Sequence, residues 1–230
     1  MLDVRPAASR GRTRLPWLDS RHSFSFADYR DPAAMGYRAL RVINEDIIAP
    51  GQGFGEHGHR DMEILTYILS GSLTHQDSLG HRASIHPGEL QAMSAGSGIR
   101  HSEWNASADT PVHLLQIWIL PDTKGLEPGY RQKAFNPAPD HLVMIANPEG
   151  DNGALQIHQN AWVYVGRPRK GRAIGHELAR GRHAWLQVAS GSVDVNGASL
   201  DAGDGAAISG VTNLDVQALT DAEFLLFDLG

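Results

Sequence analysis

"LSGSLTHQDSLGHRASIHPGELQAMSAG", Leu69 to Gly96, has a counterpart in "ASGSVDVNGASLDAGDGAAISG", Ala189 to Gly210. Both read Ser-Gly-Ser, an apolar residue, a short hairpin, x-Gly-acid, a pair of small or apolar residues, then Ser with Gly close behind. Self-similarity at this separation indicates two copies of one β-module. The Pro- and Gly-rich stretch from 120 to 141, "LPDTKGLEPGYRQKAFNPAPDH", suits a connection between them. The expected division is a first domain at 1–125, a linker at 126–141 and a second domain at 142–230.

The rest of the chain follows the same pattern. Twenty-five glycines and 12 prolines separate short apolar or alternating runs such as "RALRVINEDIIA", "EILTYILSG", "HLLQIWIL", "AWVYVG" and "EFLLFDL". Such spacing predicts an all-β protein built from sandwiches or barrels, not βαβ units. Two stretches, "RGRTRLPWLDSRHSF" and "PGYRQKAF", are expected to be irregular or to form a helical turn.

Composition excludes several function classes. Lys and Arg number 20 against 26 Asp and Glu, giving a net charge of −6 with no basic run, so direct nucleic-acid binding is not expected. The acidic balance leaves room for a protein partner. No apolar run is long enough to span a membrane, and the N-terminal residues lack the apolar segment of a secretory signal. There is no cysteine, so a metal would have to be held by His and carboxylate. These features together suggest a cytoplasmic protein.

"GFGEHGHRDME", Gly53 to Glu63, carries His57 and His59 two residues apart. In a strand, residues i and i+2 share a face, so both imidazoles can reach one ion. "AGSGIRHSEWN" repeats the spacing with His101 and Glu103. Two such pairs on facing strands converge on one point, offering three nitrogens and one carboxylate oxygen. That set suits one divalent transition metal per chain (Fe, Mn, Ni, Cu, Co or Zn) and leaves positions open for substrate. Lining up the Ser-Gly-Ser motifs puts Glu177 and Ala179 in the places of His57 and His59, and the x-Gly-acid turns put Val216 near that of His101. The second copy therefore has no ligand set.

"GQGFGEHGH" with Glu63 three residues on, and "GIRHSEWN", resemble the two cupin motifs. Seven residues, not six, separate Glu63 from Gly71, and Gly96 stands where the general motif has Pro. Together with "RHSFSFADYRDP", "LRVINEDIIAPGQGFGEHGHRDMEILTYILSGSLTHQDSLG" and "PGELQAMSAGSGIRHSEWN", the chain from about Trp17 to Leu120 resembles the pirin family of bicupins. The resemblance implies two cupin, jelly-roll type β-barrels, the first metal-binding and the second degenerate. It implies a metal, iron foremost, on His57, His59, His101 and Glu103. It also implies quercetin 2,3-dioxygenase activity with a flavonol and O2, Glu103 taking the substrate's hydroxyl proton. The alternative it carries is a metal-bound regulatory protein that binds a partner and whose dioxygenase activity is incidental.

Glu63 has an even offset from His57 and His59 and is the alternative ligand, or a partner orienting an imidazole. Phe54, Met93, Gln116 and Trp118 are candidates for a pocket wall. His75, His81 and His86 surround a hairpin turn and read as surface histidines. His113 reads as a strand-end residue, and His22 as a core histidine satisfied by neighbours. His158, His176 and His183 have no partners at ligand spacing.

Overall fold

Alternating apolar side chains punctuated by glycine produce strands almost throughout. The computed structural model describes residues 1–135 and 138–230; residues 136 and 137 of the expected linker lie outside the described residues. Among the described residues the one helical segment is a 3-10 turn at Ala7–Ser9, and no helix is long and apolar enough to cross a membrane. The chain divides into two compact units, one formed by Gly11–Phe135 with Ile157–Gln159, the other by Met1–Arg10, Asn136–Gln156 and Asn160–Gly230.

In the first unit a seven-stranded sheet runs in the order Gly129–Ala134, Glu89–Ser94, Glu63–Ser70, Val112–Ile119, Leu40–Ile48, Leu18–His22, Gly11–Leu15. A four-stranded sheet, Gly53–His59, Ile99–Trp104, Leu73–Asp77, Arg82–Ile85, accompanies it. Leu18, Ile48, Ile68, Val112 and Leu114 of the large sheet pack with Leu73 and Ile85 of the small one. Each buried side chain of this kind contributes about 1.5–3 kcal/mol.

The second unit repeats the plan. Its large sheet is Leu2–Arg5, Gly205–Ser209, His183–Ser190, Glu223–Leu229, Ala161–Gly166, Leu142–Asn147, Leu155–Gln156; its small sheet is Ala173–Glu177, Asn213–Ala218, Ser192–Val195, Ala198–Asp201. In neither unit do hydrogen bonds close the sheets into a ring, so each is a cupin-type two-sheet sandwich. The repeated Ser-Gly-Ser has a physical basis. Gly71 and Gly191 both lie at positive φ, +75° and +73°. A Cβ on Gly71 would stand 2.5 Å from the Pro111 carbonyl, and one on Gly191 would strike the backbone of Asp221.

Several sequence expectations are corrected here. The stretch around Pro16 is not irregular: Gly11–Leu15 and Leu18–His22 form an antiparallel hairpin. "PGYRQKAF" contains the strand Gly129–Ala134, paired to Glu89–Ser94, so the first unit continues to Phe135 and not to 125. Residues 1–10 belong to the second unit, because Leu2–Arg5 pairs with Gly205–Ser209 and Leu2 and Val4 pack on that unit's core. Strand pairing follows complementary edges, not proximity in sequence.

Candidate metal centre

The strands Gly53–His59 and Ile99–Trp104 lie antiparallel, with His57 opposite His101 and His59 opposite Ile99. Phe54 is the partner of Glu103, so three steps on one strand answer two on the other. This bulge falls at Gly55–Glu56, and such bulges commonly re-aim side chains beside a site. Here the freed Gly55 carbonyl lies 2.8 Å from His57 Nδ1 and accepts its N–H. The proton is thereby held on Nδ1, leaving the Nε2 lone pair for a metal.

His57, His59 and His101 come together as the two spacings predict. Their ring centroids lie 4.5 Å apart for His57–His101, 4.9 Å for His57–His59 and 4.9 Å for His59–His101. One nitrogen from each lies within 4.8 Å of the other two. Trp118 stands edge-on to His59 at 5.0 Å and restrains that ring. His101 Nε2 is buried and has no hydrogen-bond partner among the described residues. An orphaned imidazole nitrogen facing two others is uncommon without a function.

Electrostatics agree with a cation site. Burial, reinforced by His57, pushes His59 down to about 4. Burial, with repulsion from His57, His59 and His75, pushes His101 down to about 2. Both rings are neutral at physiological pH and present lone pairs, as ligation requires. The residues therefore fit a divalent transition metal.

Glu103 is buried, with a carboxylate oxygen within 4.8 Å of nitrogens of His75 and His101, a grouping that shares His101 with the three-imidazole cluster but does not include His57 or His59. Gln116 Nε2–H donates to Glu103 Oε2 at 3.0 Å, and the Thr66 hydroxyl lies 3.4 Å from Oε1. Burial, then the charge of Asp46, raises Glu103 to about 7, against hydrogen bonds from Gln91, Thr66 and Gln116. A cation alongside would draw it down again.

Glu63 departs from its expected place. The chain turns between the strands, with Asp61 at φ 50°, so even-offset counting from His59 fails. Glu63 instead opens a strand of the large sheet, where Ser94 Oγ–H donates to Oε2 at 2.9 Å and His158 Nδ1 lies 3.3 Å from Oε1. It belongs to neither group of close metal-ligating side chains. His158, read with the second half, thus belongs to the first unit and pairs with Glu63 there.

A cavity of about 310 Å³ opens onto the cluster. Phe54, Gln116 and Trp118 line it with Trp17, Phe26, His57, His59 and Glu103. Met93 does not: it is fully buried among Ile64, Ala95 and Ile99. Trp17 was missed because its hairpin read as irregular; Phe26 lies beyond that hairpin, edge-on to Trp118 at 5.4 Å. Ser20, His22, Asn44 and Asp46 supply a polar side to the same cavity. His22 is the satisfied core histidine expected, bonded to Asn44 at 2.8 Å and Thr13 at 2.9 Å.

His75 overturns its surface reading, being fully buried with Nε2 3.1 Å from Asp77 and Nδ1 3.4 Å from His101 Nδ1. Alternation was the signal: Leu73, His75 and Asp77 share one face, and the turn begins only at Ser78. His81 and His86 are exposed, as expected. His113 bonds Glu45 at 2.8 Å and His176 bonds Asp228 at 3.1 Å.

In the second unit Val216, which the sequence alignment sets near the position of His101, has Ile174 as its ladder partner. Both lie in an apolar core with Leu178, Leu186 and Leu214.

Two cupin-type units, one gathering imidazoles and the other filled with aliphatic side chains, define a bicupin. The Pirin family model matches residues 3–119, and that of the quercetinase C-terminal cupin domain matches residues 144–229. The chain belongs to the pirin family. It is 46% identical over 229 residues to a quercetin 2,3-dioxygenase of Escherichia coli K12, covering 100% of this chain and 99% of that protein. It is 43% identical over 232 residues to a putative quercetin 2,3-dioxygenase of Pseudomonas aeruginosa, covering 100% of both. The solved structure of bacterial pirin YhhW from Escherichia coli in complex with nickel(II) matches with a TM-score of 0.96 at 46% identity, covering 100% of this chain and 99% of that one.

Proposed function

We propose that this protein is a metal-dependent dioxygenase that opens a flavonol of the quercetin type with O2. The observation that carries this reading is the three-imidazole cluster with a buried carboxylate at the wall of an aromatic-lined cavity of about 310 Å³. Relatives of full length named quercetin 2,3-dioxygenase support the substrate class. His57, His59 and His101 would hold one divalent metal, with Glu103 as the carboxylate donor. A bound transition metal supplies Lewis acidity and open positions for substrate oxygen. Iron as the physiological metal and the cytoplasm as the compartment belong to the same proposal.

The chain's own groups then do the following. Trp17, Phe26, Phe54 and Trp118 enclose the flat substrate and exclude water. Gln116 and Thr66 hold the Glu103 carboxylate at the cavity wall, where it takes the substrate's hydroxyl proton. The oxyanion left behind is a better ligand and electron donor than the neutral hydroxyl. Positioned proton transfer of this kind contributes about 100-fold or more.

Glu103→Gln tests the assignment, because it keeps shape and a neutral oxygen donor while removing basicity. The variant is expected to retain a substantial share of its metal through three histidines and to lose quercetin-dependent oxygen uptake by about 100-fold or more. Uptake at the wild-type rate would remove Glu103 from the chemistry.

A further inference from the structure

We propose that the buried pair Asp77–His75 is a positioning arm for His101, fixing its ring as the Nδ1–H tautomer so that Nε2 presents its lone pair to a metal. The inference rests on the reading of His57, His59 and His101 as ligands. It explains why a histidine with no place in that ligand set is fully buried beside it.

The direction of the arm is set at Asp77. Its Oδ1 accepts backbone N–H groups from Leu79 at 2.9 Å and His81 at 3.0 Å, in the turn that follows the strand. Oδ2 faces His75 Nε2 at 3.1 Å, and His81 Nδ1 lies 3.0 Å from Oδ2 and 3.2 Å from Oδ1. A carboxylate only accepts, so the proton of a neutral His75 resides on Nε2. His75 Nδ1 is then a lone pair, and it faces His101 Nδ1 at 3.4 Å. The complementary state puts the His101 proton on Nδ1. Its Nε2, buried and unpartnered among the described residues, is then left with the lone pair, on a ring whose centroid lies 4.5 Å from that of His57 and 4.9 Å from that of His59.

Backbone and packing hold the arm rigid. In the ladder Asp77 is the partner of His101, and His75 the partner of Glu103. Tyr130 stacks on His75 with centroids 4.7 Å apart and planes 27° from parallel. Partners that fix the tautomer of a ligating imidazole are worth about 10–100-fold in metal affinity.

Asp77→Asn tests this by reversing polarity without changing shape. Its amide oxygen is expected to stay with the two backbone N–H groups, which turns the NH2 group toward His75 Nε2. His75 must then carry its proton on Nδ1, and His101 must move its own to Nε2, where a metal would bind. Nitrogen-15 spectra of histidine-labelled, metal-free protein report the protonated nitrogen of His101, whose signals are those lost in His101→Gln. Competition with a chelator reports affinity for Zn(II), chosen as a diamagnetic probe. Expected are Nδ1–H in the wild type, Nε2–H in Asp77→Asn, and Zn(II) binding weakened about 10–100-fold. Wild-type Zn(II) affinity in Asp77→Asn overturns the arm alone, whereas a wild type that binds no Zn(II) overturns the ligand reading with it. If the variant fails to fold, the wild-type spectrum decides, and Nε2–H there overturns the proposal.

Discussion

Two carboxylates, Glu63 and Glu103, sit at even offsets from histidines in the sequence, and their surroundings separate them. Glu103 adjoins the imidazole cluster and lines the cavity. Glu63 is buried against Ser94 and His158 in the large sheet. Glu63→Gln is therefore expected to leave metal content and oxygen uptake near wild type. Its effect should be a loss of stability of about 1–3 kcal/mol, the cost of weakening a buried charge-assisted hydrogen bond. A urea midpoint beside metal analysis checks this, and loss of metal would return Glu63 to the ligands. At this scale the sequence made three histidines legible, because i and i+2 in a strand fix a shared face. It hid His75, since a hairpin turn and the end of a strand look alike until the alternation of Leu73, His75 and Asp77 is followed.

At the scale of elements, the strands that carry the imidazoles and those that bring Asn44, Asp46, Gln116 and Trp118 to the cavity were readable, while the hairpin that forms another of its walls was not. The hairpin Gly11–Leu15 and Leu18–His22 carries Arg12, Arg14, Arg21 and Asp19 with Pro16 at its turn, so its strand character comes from pairing with Leu40–Ile48, not from local propensity. That pairing sets Ser20 opposite Asp46 and hydrogen-bonds the two side chains. Burial, only partly offset by Ser20, raises Asp46 to about 6. Between the ordinary carboxylate value and 6 the folded state holds its proton more tightly than the unfolded chain. This group's contribution to stability is accordingly present at acid pH and is lost as pH rises through that window. Asp46→Asn removes the dependence. Its stability relative to wild type is expected to rise across the window by about 2–3 kcal/mol and then level off, at about 1.4 kcal/mol per pH unit of displaced titration. Urea unfolding at several pH values measures it. A gap independent of pH would mean that Asp46 titrates normally.

Across the whole molecule the duplicated sequence announced two units, and the glycines at Gly71 and Gly191 explain why its most visible motif recurs. The exact extents were not legible, since Leu2–Arg5 pairs with Gly205–Ser209 at the far end of the chain. In the second unit the facing pair Ile174 and Val216 lies in an aliphatic core, and among the described residues no group of close metal-ligating side chains falls there. One metal-dependent centre per chain, carried by His57, His59 and His101, is the central claim. It is tested most directly by measuring metal content together with quercetin-dependent oxygen uptake, on wild type and on the double variant His57→Ala with His101→Ala. The expected result is about one equivalent of metal with uptake in the wild type, and neither in the variant. Metal or uptake surviving in the variant would contradict the site, and a metal-loaded wild type inert toward quercetin would contradict the activity and favour the regulatory, partner-binding reading.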